Sequence, residues 1–587
     1  MEIRVRRVAM AMLVLPLLLL GAGAGGAEEP LRLTTNVQAT KEDVNPTRTY
    51  SAPYLAVDPS NDMRIVGSFI DFRTARCGLL RSLDGGQTWK RMDALPAPDS
   101  FPFCESTQSG NGIYHAPLAF GRNGVLYYAV MGWDNQDGGG GRGNTSVILA
   151  RSDDLGETWE HTLVRNNRGK EGAQVENIRP MTGIAVDTKS GKDDVVYVSY
   201  SRRLPNAVAP NAEPNQPTVA VSTDGGRTFG EPVSVVGGVF GNAALRAEGL
   251  GKATTTTAPP GPTTTTTAVP AGSRAAQPDQ AANFGGGKSS IAVDGKGTIY
   301  VAWPSAVANI AAPPPPAKFL SKSTDQGKTW TVTQIAPWSY NHKAGAPGPN
   351  ASLQLAWSPK GGSDGTLHVV AEGNDQVDIA NLSHIWYWQS TDGGRTWSAP
   401  KVIDDSDKSQ MVGQYMPDIS VAPNGRIDVT WWDTRETPIP STQTNDVYYT
   451  SSFDNGATWS KNIRVTNQSI SRRYGVFLNN FNMSAPPGLA STNAYAVLGW
   501  DDTRLTDPGF ADNAAVGGGL QDIFTAAVQY ETVGGGMSST VKVALAAVVG
   551  LMTVGLMLFL ATLTARRGRA GAAGSAARPD REQAPVG

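Results

Sequence analysis

The chain has 587 residues, with 50 Lys and Arg against 52 Asp and Glu, 66 Gly, 39 Pro, 14 Trp and 2 Cys. Its net charge of −2 divides into +2 over residues 1–27, −8 over 28–540 and +4 from 541 onward. An acidic body excludes a phosphate-backbone binder, which needs a basic face, and two cysteines exclude a disulfide-dense scaffold.

Residues 1–27 read as a secretory signal peptide: Arg4, Arg6 and Arg7 precede an apolar run from Val8 to Leu20 and small residues ending at Ala27. The body, 28–535, is governed by a repeat. The pattern Ser-x-Asp-x-Gly-x-Thr-(Trp/Phe) occurs six times, with aspartates Asp84, Asp154, Asp224, Asp325, Asp392 and Asp454, and its serines are 70, 70, 101, 67 and 62 residues apart. The motif has the chemistry of a hairpin: Asp accepts backbone N–H bonds, Gly supplies positive φ, and the closing aromatic plugs a seam between sheets. One Asp per turn lacks the partner carboxylate of a hydrolase or the ligand set of a calcium site.

Before each motif stand two alternating apolar segments of strand length, such as Ile291–Asp294 with Ile299–Trp303 and Ile419–Val421 with Ile427–Trp431. A unit is strand a, strand b, strand c, the Asp hairpin and strand d, which predicts an all-β protein, a β-propeller of four-stranded blades. After the sixth motif, Ala494–Trp500 and Asp522–Gln529 read as strands b and c of a further blade without an Asp hairpin. Leu31–Asn36 resembles Ile463–Asn467, the strand after the sixth motif, so the N-terminal strand is expected to complete the last blade and close the ring. Seven blades is the preferred count, six the second.

The 101-residue spacing contains residues 251–283, a Thr/Pro/Ala low-complexity insertion read as a flexible loop, and Pro313–Pro316 is a smaller interruption. Gly285–Ser289 approaches a phosphate loop, but Ala282 stands where its first Gly is required and a strand follows, so no nucleotide is expected. The segment 541–563, with Val543–Leu563 free of charge for 21 residues, predicts a transmembrane helix about 31 Å long. Arg566, Arg567 and Arg569 follow it, which places the tail 564–587 in the cytoplasm and the body outside the cell.

The repeated hairpin is the Asp-box, or BNR repeat, and on it residues 31–530 resemble the sialidase (neuraminidase) superfamily of propellers and its non-enzymatic relatives. The resemblance implies Asp hairpins on the face opposite the active site, three arginines on a sugar carboxylate, a Tyr nucleophile paired with a Glu, and an Asp acid/base. Function is then expected where strands a begin and strands b end. There the sequence offers Tyr474 with Glu176 as nucleophile pair, Asp71 as acid, and Arg179, Arg473, Arg435 and Arg504 as carboxylate binders. The chain departs from the family in two ways. Its count of blades exceeds the six of the enzymes, and no Arg-Ile-Pro precedes Ser82, the nearest matches being Ile178-Arg179-Pro180 and Arg203-Leu204-Pro205.

A structural role competes for some of these residues: Asp and Arg two apart, repeated at Asp71/Arg73, Asp433/Arg435 and Asp501–Arg504, suit ion pairs that tie loops down. Cys77 and Cys104 fall on one rim and are expected to form a disulfide there. The five histidines show no metal-ligand spacing and read as surface or turn residues, so neither metal nor cofactor is expected. Trp386 and Trp388 share one strand face, suited to packing between blades or to stacking on sugar. Two functions remain: a membrane-anchored exo-sialidase-type hydrolase, and a non-catalytic propeller presenting its rim to a glycan or surface protein. Neither involves nucleic acid.

Overall fold

A computed structural model describes residues 32–45, 48–93, 96–104, 117–133, 145–166, 177–203, 215–236, 289–305, 317–337, 353–373, 383–407, 412–437, 444–471, 474–475, 485–506 and 520–530. Contacts divide the chain into Leu31–Gln529, which holds every described strand, and a second unit of Met1–Pro30 with Tyr530–Gly587. Of that second unit only Tyr530 is described, so the expected signal peptide, membrane helix and tail lie outside the described residues, as does the insertion 251–283. Among the described residues no helix is long and apolar enough to cross a membrane.

The strands form seven antiparallel sheets, each hydrogen-bonded in the order a, b, c, d. Blade 1 is Tyr50–Val57, Ile65–Asp71, Arg76–Ser82 and Lys90–Arg91; blade 2 is Leu118–Phe120, Leu126–Trp133, Thr145–Ser152 and Glu160–Asn166. Blade 3 is Asn177–Asp187, Val195–Arg203, Asn215–Ser222 and Val233–Ser234; blade 4 is Ser290–Val293, Ile299–Ser305, Ala317–Ser323 and Thr331–Pro337. Blade 5 is Leu353–Ser358, Thr366–Gly373, His384–Ser390 and Lys401–Val402; blade 6 is Gln414–Val421, Ile427–Asp433, Thr444–Ser452 and Ile463–Arg464. Blade 7 joins Gly488–Ser491, Tyr495–Asp502 and Asp522–Gln529 to Arg32–Leu33 from the other end of the chain. The count is therefore seven, and the six-bladed alternative is excluded.

The N-terminal strand completes the last blade, as expected. Arg32 and Leu33 pair with Gln529 and Val528, and a second short strand, Val37–Gln38, pairs with Thr525 and Phe524. The likeness of Leu31–Asn36 to Ile463–Asn467 has a structural cause, because Arg32–Leu33 and Ile463–Arg464 are both strands d. Asn36 also bridges the two blades, donating from Nδ2 to Val465 O at 3.0 Å and accepting from Asn467 N at 2.9 Å. Ring closure leaves no unpaired edge on the last strand c.

Packing is between neighbours. Leu55, Phe69, Leu80 and Trp89 of blade 1 pack with Tyr495, Val497 and Ile523 of blade 7, and Val370, Ile385 and Tyr387 of blade 5 pack with Ile419, Val429 and Trp431 of blade 6. Strand b lies inside each blade and is covered on both faces, so Ile65–Asp71 and Ile427–Asp433 are buried throughout. Trp386 and Trp388 pack with Ala302 and Leu320 of blade 4. Two histidines depart from the sequence reading: His368 and His384 lie inside blade 5, on strands b and c, because that blade's aromatic layer covers them.

Each Asp hairpin closes in the same way. In the first, Ser82 Oγ donates to Asp84 Oδ1 at 2.8 Å and accepts from Gly86 N at 2.9 Å, while Thr88 donates from N and Oγ1 to the two carboxylate oxygens at 2.9 and 2.6 Å. The glycine serves twice. At Gly156 φ is +91°, and a Cβ would overlap Leu79 of the preceding blade.

Candidate functional site

The connections c–d, which hold the Asp hairpins, lie on one face of the ring, and the b–c and d–a connections lie on the other. The hairpin carboxylates have no free role: burial pushes Asp84 up, but bonds from Thr88 and Ser82 outweigh it and hold the carboxyl below its ordinary range. Asp154, Asp224, Asp325, Asp392 and Asp454 behave alike. Candidate chemistry therefore belongs to the loop face.

Its outer rim is built from a repeated ion pair where strand b ends. In blade 6, Asp433 accepts from Arg435 N at 2.8 Å, Arg435 Nε at 2.9 Å and Trp431 Nε1 at 2.9 Å. Arg435 also reaches Asp405 at 2.6 Å and Asn462 at 3.3 Å, and its guanidinium lies 4.1 Å from the centroid of the Tyr448 ring. Blade 7 repeats this with Asp502: Arg504 N donates to it at 2.9 Å, Arg504 Nη2 at 2.6 Å and Trp500 Nε1 at 2.9 Å. Arg504 continues to Asn467 and Asn36 and covers Phe524. In blade 1, Asp71 accepts from Arg73 N at 3.1 Å and Nη2 at 2.9 Å, and Arg73 also meets Asp43. The repeat is aromatic-x-Asp-x-Arg, and each arginine ties its loop to the neighbouring d strand or the segment beside it.

The carboxylates of Asp71, Asp433 and Asp502 are buried and their charge is matched at contact distance. Asp71, the candidate acid, thus sits in an ion pair with Arg73. Cys77 and Cys104 form a disulfide beside this rim, with Cα atoms 5.5 Å apart.

An inner layer went unread in the sequence. Asp501 accepts from Ser51 Oγ at 2.6 Å, Ala52 N at 3.1 Å and Gln521 Nε2 at 3.3 Å, and Glu372 accepts from Met416 N. Lys318 is 2 % exposed, with its Nζ 5.9 Å from the Trp388 ring centroid. Burial lowers its pKa to about 8, against an upward pull from Glu372. His384 Nδ1 meets both oxygens of Asp404 at 3.1 Å, and Ser406 Oγ donates to Asp404 at 2.6 Å. Burial drives Asp404 up, but His384, Ser406 and Ile385 N hold it low overall.

Of the other sequence candidates, Tyr474 is half-buried beyond strand d of blade 6, and Arg179 lies in strand a of blade 3, where only its backbone is described. Glu176 and Arg473 lie outside the described residues. The described candidates lie apart, Asp71 at the end of strand b of blade 1 and Arg435 and Arg504 in the loops after strands b of blades 6 and 7, each with its own partners.

No protein-family model matches the chain, and no curated protein matches it. Solved structures do. The chain is a seven-bladed propeller, and the matches are at low identity. Hadza microbial sialidase Hz136 shows 14% identity over 80% of this chain and 74% of that one, with a TM-score of 0.41. Phage phi92 endosialidase shows 11% identity over 87% and 71%, with a TM-score of 0.42. Penicillium chrysogenum alpha-L-arabinanase, solved with arabinobiose, shows 13% identity over 68% and 94%, with a TM-score of 0.38.

Proposed function

We propose that this propeller binds glycans at its loop face, outside a membrane to which residues 541–563 anchor it, and that it does not cleave them. The observation that carries the non-catalytic reading is the engagement of the arginines. Arg435 and Arg504, two groups that the sialidase resemblance assigns to a sugar carboxylate, are each committed to a buried aspartate and a neighbouring side chain. Freeing either one leaves a buried carboxylate unmatched, so recruitment by substrate is unfavourable. The absence of Arg-Ile-Pro before Ser82 supports the same reading, and the uncharged run Val543–Leu563 followed by three arginines supports the anchor.

The full chain, purified in detergent, is applied to a printed array of neutral and acidic glycans and, separately, to chromogenic α-sialosides and α-arabinosides. Binding without turnover is expected. Turnover of either glycoside overturns the non-catalytic reading, and an array without bound glycan overturns glycan recognition in favour of a protein partner.

A further inference from the structure

The six Asp hairpins share the residues that close them and differ at two exposed positions. The residue between serine and aspartate is Leu83 in blade 1 and Phe453 in blade 6, each 56 % exposed, and Asp or Thr in blades 2 to 5. The residue between glycine and threonine is Gln87 in blade 1 and Ala457 in blade 6, whereas blades 2 to 5 carry the charged Glu157, Arg227, Lys328 and Arg395. The a–b turns share this face and divide in the same way, with Lys189, Lys296 and Lys360 in blades 3 to 5 and Asn424 and Asn493 in blades 6 and 7. Blade 1 adds Met63, 40 % exposed, between Asp62 and Arg64, with its carbonyl accepting from Gly85 N at 3.0 Å. Single exposed apolar side chains are ordinary, but here one place in the repeat turns apolar only in the two blades on either side of blade 7.

Blade 7 is where the chain leaves the ring. Gln529 pairs with Tyr495 as Ser82 pairs with Ile65 and Ser452 with Ile427, each opposite the first residue of strand b. Gln529 therefore stands in the place of a hairpin serine, and the chain passes out through the hairpin face. The blade 1 hairpin leans on this blade: a Cβ at Gly86 would lie 3.5 Å from Val497, and the Tyr495 hydroxyl donates to Asp62 O. Ten residues, 531–540, precede the segment 541–563, and fully extended they reach at most about 36 Å. Strand c of blade 7, with 8 residues, is about 26 Å long, so carrying the chain back to the loop face would consume most of that reach.

From this placement we infer that the hairpin face of blades 6, 7 and 1 docks on the outer lipid surface, with Leu83, Met63 and Phe453 set among the headgroups. The inference rests on the reading of 541–563 as a membrane anchor and deepens it. Apolar side chains gain by entering the interface, while the charged hairpins of blades 2 to 5 stay hydrated, so the ring tilts toward blade 7. Three side chains alone would hold a membrane weakly. A short tether makes their contact intramolecular, at an effective concentration on the order of millimolar, so even a weak contact is populated. The same three are too few for a stable second copy, which needs about 1,600 Å² of buried surface. The loop face is left open to solvent.

The test reconstitutes the full chain in phosphatidylcholine vesicles that contain headgroup-spin-labelled lipid, with one NBD fluorophore attached through Gln87→Cys, Ala457→Cys, Arg227→Cys or Lys328→Cys. Flotation with the vesicles reports the anchor, and loss of NBD emission reports contact with lipid. Emission is expected to be lost for the labels of blades 1 and 6 and kept for those of blades 3 and 4. Leu83→Asp with Phe453→Asp should restore emission from the Ala457→Cys label while flotation and melting temperature stay unchanged, since Asp153 already occupies that place in blade 2. Emission kept by all four labels on a floating chain overturns docking and leaves the anchor standing. Loss from all four, or loss that survives the two Asp substitutions, overturns the apolar sector. Particles of twice the chain's mass in detergent that the Asp substitutions dissociate show a second copy on this face and overturn the lipid occupant. A chain that does not float removes the anchor reading and the docking with it.

Discussion

His368 shows how one side chain sets a pH dependence. It is fully buried, its Nδ1 lies 2.7 Å from the Tyr387 hydroxyl, and its Nε2 has no partner among the described residues. Burial lowers its pKa from 6.5 to about 3, so between those values the unfolded chain takes up a proton that the folded ring refuses. The stability from a neutral His368 is complete above pH 6.5 and is lost progressively as pH falls to about 3. The melting temperature of His368→Leu should therefore fall less than that of wild type from pH 7 to 4, and parallel curves would refute the assignment. Arg435→Ala strands the buried Asp433 and should cost about 3 kcal/mol in denaturant titration; a change under about 0.5 kcal/mol would show the pair to be a surface tie.

At this scale the sequence was least informative. The rim ion pairs could be read because Asp and Arg stand two apart on the chain. Asp501 and Ser51 stand 450 residues apart, and no local pattern joins them. The left-handed Ala52 and Met416 were likewise hidden, since alanine and methionine before proline signal extended backbone. His368 and His384 read as surface residues because no metal-ligand or core pattern marks them, yet Tyr387 and Trp386 of the same blade lie against them and both are buried.

The hairpin is the element most fully legible in advance. Its serine, aspartate, glycine and threonine make the bonds that close the turn among themselves, so their spacing carries its local structure. The role of the glycine against the preceding blade was not legible, because Leu79 belongs to a different repeat. Gly156→Ala meets both a positive φ and that leucine and should destabilise by about 2 kcal/mol. In a double-mutant cycle, Gly156→Ala should cost less in a Leu79→Ala background than in wild type, and equal costs in the two backgrounds would deny the contact. The disulfide acts at the same scale: it closes a separation of 27 residues, and replacing Cys77 and Cys104 by alanine should cost about 3.5 kcal/mol.

For the whole molecule, ring closure governs integrity. The N-terminal strands are the outer partners of Asp522–Gln529, and Arg48 pairs with Asp522 at 2.8 Å. Deleting residues 28–38 should expose that strand and yield self-association visible in size-exclusion chromatography; a monomer with unchanged melting temperature would contradict closure by this segment. The count of seven was legible because each repeat brings its own strands b and c, and the blade lacking an Asp hairpin still alternates. The loop face, and not the Asp-hairpin face, is expected to hold the ligand. Hydrogen exchange of the full chain with and without the glycan bound best on the array tests it most directly. Slowed exchange at residues 50–54, 414–418 and the b–c loops is predicted, whereas protection confined to the Asp hairpins would contradict the account.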